Sequence, residues 1–297
     1  MGGGSTVFPG RIVAGRRLPL AAGLFYESSR EGLQAQIEWA RGHPLGPGGS
    51  PPAVEGRLVG VVVPHGSLYY AGPVAAHVLP VLEAVRPSVV AVVGPNHTGL
   101  GAGVSVYPEG LWSTPLGDVE VDSEAARRLA ELGGFELEVA GHVYEHSVEV
   151  VLPLLQHVLG GGWRLVAVSV FDQSPETAAR LGEALAVLSA EHGVFPVFSA
   201  NLTLYEEPGE ARRMDELLLE ALQGLDVNGL YRVVEEHGVP TCSLGVLAAA
   251  VVYASKLSAR PRLLRHALSS DVAGGGYAVG YAALVFEVVG EGGGGES

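Results

Sequence analysis

Apolar runs alternate with amphipathic segments along most of this chain, beginning with a strand–helix–strand unit. Residues 58–63 and 88–93 are valine-rich runs without an acidic residue, which is typical of buried strands. Residues 71–85 between them have the apolar spacing of a helix. This order predicts a pair of parallel strands joined by a helix.

The same alternation continues through the rest of the chain. Residues 163–170 and 195–198 are strand-like, and Ser174-Pro175 between them has the N-cap residue and first-turn proline of a helix start. The pattern also predicts a final strand at residues 277–288 and further helices at residues 29–41, 123–132, 145–159, 208–222 and 242–257.

Alternating strands and helices are typical of an α/β fold, in which helices cover both faces of a sheet. We therefore predict a single three-layer domain over residues 11–289, with a central, mostly parallel sheet flanked by helices. Residues 46–52 are rich in Gly and Pro and are predicted to form a surface loop. The low-complexity ends, residues 1–10 and 290–297, are predicted to be flexible tails.

Composition narrows the classes of function. The 297 residues are 47% hydrophobic and 17% charged, as in a globular chain with a sizeable core. Because 18 Lys+Arg face 32 Asp+Glu, the net charge of -14 disfavours a nucleic-acid surface and leaves small molecules, metals or proteins as partners. The single cysteine requires no oxidising compartment, and neither a signal peptide nor a membrane-spanning run is found, so we predict a cytoplasmic protein.

Two histidines follow the first two predicted strands. His65 comes two residues after one apolar run and His97 four residues after the other. Ligands of open α/β sheets bind outside the carboxyl ends of the strands, and neighbouring strands lie about 4.8 Å apart. We expect the two imidazoles to share a zinc, iron or copper ion, although each could instead make ordinary loop hydrogen bonds.

Cys242 and a histidine pair supply further candidates. Cys242 lies near the start of a predicted helix, where a thiol tends to ionise and to bind metal, but a lone cysteine is more often a small buried hydrophobe. His142 and His146 match the H-x-x-E-H pattern of a zinc peptidase, which requires one helix through both. Alternatively, Glu145 and Ser147 satisfy backbone N–H groups at a helix start while His146 acts as acid or base.

Taken in order, several short motifs resemble the Memo family, whose bacterial and archaeal members are called AmmeMemoRadiSam system protein B. The resemblance extends over nearly the whole chain. The matching motifs are Arg17-Leu18-Pro19 with Phe25-Tyr26, Pro64-His65, Gly94-Pro95-Asn96-His97, Ser113-Thr114-Pro115, Glu145-His146-Ser147 and Thr241-Cys242.

This resemblance implies a fold like that of class III extradiol ring-cleaving dioxygenases and a mononuclear site for iron or copper. Its metal ligands are then His65, His97 and Cys242, with Glu145 and His146 as catalytic residues. The remaining pocket residues implied are Asn96, Thr114, Ser199 and Asn201.

The chain also departs from the family pattern. Asn201 and Leu204 stand where many members have an aspartate and a histidine, which reduces the donors around an ion. Two functions remain open: a metal-dependent redox or dioxygenase-like protein, and a non-catalytic module whose degenerate pocket holds a peptide or small molecule.

Overall fold

The computed structural model describes residues 12–48 and 56–289, which contain twelve strands and ten α-helices. The strands are β1 (Ile12–Val13), β2 (Arg16–Arg17), β3 (Arg57–Val63), β4 (Val89–Pro95), β5 (Val104–Val106), β6 (Leu111–Thr114), β7 (Gly117–Val121), β8 (Glu136–Leu137), β9 (Arg164–Val170), β10 (Phe195–Ser199), β11 (Arg260–Leu268) and β12 (Gly280–Val288). The helices are α1 (Arg30–Gly42), α2 (Gly72–Ala75), α3 (Leu79–Val85), α4 (Ser123–Gly133), α5 (Leu152–Leu159), α6 (Pro175–His192), α7 (Pro208–Gln223), α8 (Val227–His237), α9 (Leu244–Lys256) and α10 (Ser269–Ala273).

All twelve strands belong to one mixed sheet in the order β1-β2-β6-β7-β9-β4-β10-β3-β12-β11, with β5 pairing with β8 and β9. Its centre, β9-β4-β10-β3, is parallel, and these strands are buried along almost their whole length. Antiparallel β12 and β11 complete one edge. The predicted α/β fold with a mostly parallel sheet flanked by helices is confirmed.

Helices pack in two groups around this sheet. In one group α1 contacts α2 and α5, and α3 also contacts α5. In the other group α6 packs on α4 and α9, and α9 packs on β4 and β10. The apolar side chains between these layers form one extended core, in which the strands contribute mostly valine.

The predicted pairing of the two strands in the first strand–helix–strand unit is wrong. The strands β3 and β4 are parallel but not neighbours, because β10 lies between them and pairs with both. The spacing of adjacent strands therefore cannot be what brings His65 and His97 together. The strand pattern predicts β10 itself but carries no information about where in the sheet it inserts.

Prolines alter two predicted helices. The helix expected over residues 71–85 is divided into α2, a 3-10 turn at Ala76–Val78, and α3, because Pro73 and Pro80 each occupy a helix first turn. The helix expected over residues 145–159 is the shorter helix α5, which begins at Leu152 and has Pro153 in its first turn. Residues 143–148 are therefore a loop, which carries Glu145 and His146.

The remaining boundaries differ by small amounts. The helix α9 begins two residues later than predicted, and β12 begins three residues later. No helix in the described part of the chain is long and apolar enough to cross a membrane. The predicted tails, and part of the predicted loop at residues 46–52, lie outside the described residues.

Candidate metal centre

Three loops at the carboxyl edge of the sheet bring His65, His97 and Cys242 together. His65 follows β3, His97 follows β4, and Cys242 precedes α9. Their ligand atoms all lie within 4.8 Å of one another, and the Nε2 atom of His65 is 3.5 Å from the Sγ atom of Cys242. The chain thus places two imidazoles and a thiol in one donor set.

Asn201 connects two of these three loops from the end of β10, the strand that lies between β3 and β4. The Oδ1 atom of Asn201 accepts a hydrogen bond of 3.0 Å from the backbone N–H of His65. Its own backbone N–H donates to the hydroxyl of Ser243, the residue after Cys242, at 3.1 Å. Asn201 therefore joins the His65 loop to the Cys242 loop.

Glu145 orients His97 through one of its ring nitrogens. The Oε1 atom of this buried carboxylate lies 2.9 Å from the Nδ1 atom of His97, and the carboxylate also accepts the backbone N–H groups of His97, His146 and Ser147. Burial opposes ionisation, but the hydrogen bonds from His97 lower the pKa of Glu145 to about 2. A carboxylate that holds one ring nitrogen of a histidine is a common support for a metal ligand.

The charges at the site suit a cation. Burial raises the pKa of Cys242, but hydrogen bonds from His65 and His97 outweigh it and lower the pKa to about 5, so the sulfur is a thiolate at neutral pH. Burial likewise opposes protonation of His97, whereas hydrogen bonds to Cys242 and Glu145 raise its pKa to about 10. The positive charge of the protonated His97 ring thus lies between a thiolate and a carboxylate, and a bound metal ion would replace that charge.

His146 lies beside this group and can act as a base. Its ring stacks on the ring of His97 at a centroid distance of 4.6 Å and on Phe25 at 4.6 Å. Burial lowers the pKa of His146 to about 4 despite the attraction of Glu145, so its imidazole is neutral at pH 7. A neutral imidazole in this place can accept a proton.

A cavity of about 510 Å³ opens above the donor set. His65, His97, Cys242, His146 and Asn201 line it, and Leu204 forms part of its wall. Aromatic side chains supply much of the remaining lining, namely Phe25, Tyr70, Tyr205, Tyr277 and Tyr281. The sequence motifs include some of these residues, but nothing in their spacing shows that the rings meet around one space.

Three predicted pocket residues do not line this cavity. The hydroxyl of Ser199 is buried and donates to the backbone oxygen of Ser147 at 2.7 Å. The Oδ1 atom of Asn96 accepts N–H bonds within the turn that follows His97, and the hydroxyl of Thr114 donates to Gln156. Each of these side chains makes hydrogen bonds within the protein and lies outside the lining of this cavity.

The zinc peptidase hypothesis is also wrong. His142 ends a 3-10 turn at Ala140–His142, and no helix continues from it to His146. The side chain of His142 is fully buried, with Nε2 3.0 Å from the backbone oxygen of Ser105 and its ring against Tyr107 and Trp112. His142 therefore belongs to the core.

Comparison with known structures supports the fold. The crystal structure of an uncharacterised protein from Escherichia coli matches with a TM-score of 0.53 and 16% sequence identity, covering 77% of this chain and 99% of that chain. At this identity the match concerns the fold alone.

Comparisons of amino-acid sequences find relatives of much higher identity than this structural match. A MEMO1 family protein of Aeropyrum pernix is 41% identical over 276 residues, which cover 90% of this chain and 98% of the relative. A second, from Methanopyrus kandleri, is 40% identical over 278 residues, covering 91% and 98% of the two chains. The model of the Memo-like protein family matches residues 17–285. This chain therefore belongs to the Memo-like protein family.

Proposed function

We propose that this protein binds one iron or copper ion through His65, His97 and Cys242 and uses it in oxidoreductase chemistry of the dioxygenase-like kind. The observation that carries the proposal is the convergence of two imidazoles and a thiolate within 4.8 Å at the floor of a cavity. Imidazole suits iron and copper, and thiolate adds the softness that Cu(I) prefers. An ion held by three protein ligands would have coordination positions left for a bound molecule.

The neighbouring residues support such a centre in distinct ways. Glu145 fixes the ring of His97, and Asn201 fixes the loop of His65. The neutral imidazole of His146 accepts a proton from a bound molecule. A bound iron or copper ion would supply one-electron redox chemistry, which the side chains of this site lack.

The decisive experiment is metal analysis of untagged protein purified under anaerobic, reducing conditions. We expect about one iron or copper per chain, and Cys242→Ser or His65→Ala should lower the affinity by about 100-fold or more because each removes a ligand. His237→Ala removes an exposed histidine at the end of α8 and serves as the matched control, with unchanged affinity. A wild-type chain that takes up neither Fe(II) nor Cu(I) overturns the proposal, and a strict preference for zinc overturns its redox part.

A non-catalytic binding module is the second candidate. It is favoured by Leu204, which offers no ligand atom to the cavity, and by Asn201, whose side-chain oxygen is already bonded to the His65 backbone. In that case His65→Ala should remove metal without weakening the binding of a peptide or small-molecule partner. Loss of metal and partner together favours the redox centre.

A further inference from the structure

The cavity above the donor set is aromatic and carries little charge. Five of its lining side chains are Phe or Tyr, and no Arg, Lys, Asp or Glu occurs among the described residues that line it. The ionisable groups other than tyrosine are confined to the floor, at His65, His97, His146 and Cys242. With no Arg or Lys among these lining residues, the cavity offers no guanidinium or ammonium group to pair with an anion.

The hydroxyl of Tyr281 indicates where a ligand could bind. Its side chain is only 4% exposed and lines the cavity, yet its hydroxyl makes no hydrogen bond with any described residue. Burial raises the pKa of Tyr281 above its usual value, so the hydroxyl keeps its proton and can donate. The hydroxyl oxygen itself is not fully buried, so it is open to the cavity, where a ligand oxygen can accept its hydrogen bond.

Gly66 keeps the space beside that hydroxyl open. A Cβ atom at position 66 would lie 3.3 Å from the Tyr281 hydroxyl oxygen. Because Gly66 has no side chain, a ligand atom can occupy this side of the cavity next to His65. The Tyr281 hydroxyl therefore lies beside the residue that follows His65.

The rim of the cavity presents two tyrosine rings to solvent. Tyr205 and Tyr277 are 74% and 75% exposed, and an antiparallel bridge between Glu206 and Ala278 joins the two segments that carry them. Tyr205 has a φ of 56°, a left-handed conformation that is uncommon for a bulky residue. The backbone thus holds two apolar surfaces at the cavity mouth, where exposed aromatic rings often mark a binding site.

We propose that this cavity binds an uncharged aromatic molecule that carries a hydroxyl or carbonyl oxygen. The ring packs against the aromatic lining, and the oxygen pairs with the Tyr281 hydroxyl. A volume of about 510 Å³ suits a molecule of one or two rings. The inference rests on the proposed function in that it assigns this ligand to the same centre, and it excludes a small anion as the preferred occupant.

Equilibrium dialysis of the full chain, with metal content measured in the same samples, tests the ligand class with three naphthalene probes. We expect 2-naphthol to bind more tightly than naphthalene, and 2-naphthoate to bind about tenfold more weakly than 2-naphthol because its charge must be desolvated. In Tyr281→Phe, 2-naphthol should bind about fivefold more weakly, whereas naphthalene should be unaffected, since only one hydrogen bond is lost. Tyr253→Phe is the matched control, because its hydroxyl bonds to Val59 outside the cavity lining.

Three results would overturn the inference: no binding of 2-naphthol, tightest binding of 2-naphthoate, or an equal loss of 2-naphthol and naphthalene in Tyr281→Phe. The two proposals fail separately in this design. Metal-free protein that binds 2-naphthol contradicts only the metal centre, and metal-loaded protein that does not bind it contradicts only the ligand class.

Discussion

Asn201 shows how much one side chain can contribute without being a ligand. Its amide oxygen fixes the backbone of His65, and its backbone N–H reaches the residue after Cys242. An aspartate at this position would keep the acceptor and add a negative charge. The neutral amide therefore keeps a positioning contact while leaving the thiolate and Glu145 as the anionic groups near the candidate ion.

Replacing Asn201 should consequently weaken metal binding without removing a ligand. We expect Asn201→Ala to lower the affinity by about 10- to 100-fold, as is usual for residues that orient metal ligands, and Asn201→Asp to retain most of it. Competition with a chelator of known affinity measures both. Asn228→Ala, in an exposed part of α8, should match wild type. Equal affinities for Asn201→Ala and wild type would falsify the positioning role.

Only some residues of the candidate site could be identified from the sequence. His65 and His97 follow long apolar strands, so their placement at the sheet edge could be predicted, and the family resemblance favoured Cys242 as a ligand over a small buried hydrophobe. The contacts of Phe25 and Tyr281 could not be predicted, because stacking and cavity lining depend on loops from distant parts of the chain. Thr114 lies in a matching motif, but its hydroxyl donates to Gln156 and does not line the cavity.

Among the secondary-structure elements, the loop at residues 143–148 is fixed mainly by β2. Arg17, fully buried, donates to the backbone oxygens of His142 at 2.8 Å and Glu145 at 2.6 Å, and pairs with Glu149 at 2.5 Å. Its guanidinium also lies over the Trp112 ring, 4.2 Å from the centroid. A two-residue strand thus holds the loop that carries Glu145 and His146.

The neighbouring arginines of β2 provide a matched test of this contact. Arg17→Lys should cost about 2–4 kcal/mol of unfolding free energy, because a lysine cannot reproduce the planar set of donors and leaves buried oxygens unpaired. Arg16→Lys alters an exposed pair with Asp118 and should cost about 0–1 kcal/mol. Denaturant unfolding gives both values. Similar losses in the two variants would show that the buried cluster is not what stabilises the loop.

The elements that could be predicted share a physical property. The central strands β3, β4, β9 and β10 are buried on both faces and therefore occur as continuous apolar runs. Strands such as β7 and β11 are partly exposed and carry polar residues, so no comparable signal marks them. The order of strands depends on long-range packing, which is why the insertion of β10 was not predicted.

For the whole molecule, a fall in pH should lower the stability of the fold more by protonating buried histidines than by changing the net charge of -14. His142 is fully buried, and burial together with the nearby Arg17 charge lowers its pKa from 6.5 to about 3. The unfolded chain therefore takes up this proton first as the pH falls. Its contribution to stability is complete above pH 6.5 and is lost progressively as the pH falls toward about 3.

His142→Gln separates this contribution from those of other titrating groups, because glutamine can keep a donor toward the Ser105 oxygen without titrating. Between pH 7 and pH 4.5, the unfolding free energy of wild type should fall by about 2–3 kcal/mol more than that of His142→Gln, since two pH units below the unfolded pKa correspond to about 2.7 kcal/mol. Denaturant unfolding across this range measures the difference. His237→Gln, which removes an exposed histidine, should retain the wild-type slope. Parallel profiles for wild type and His142→Gln would mean that His142 is protonated in the folded core, which its packing against Tyr107 and Trp112 opposes.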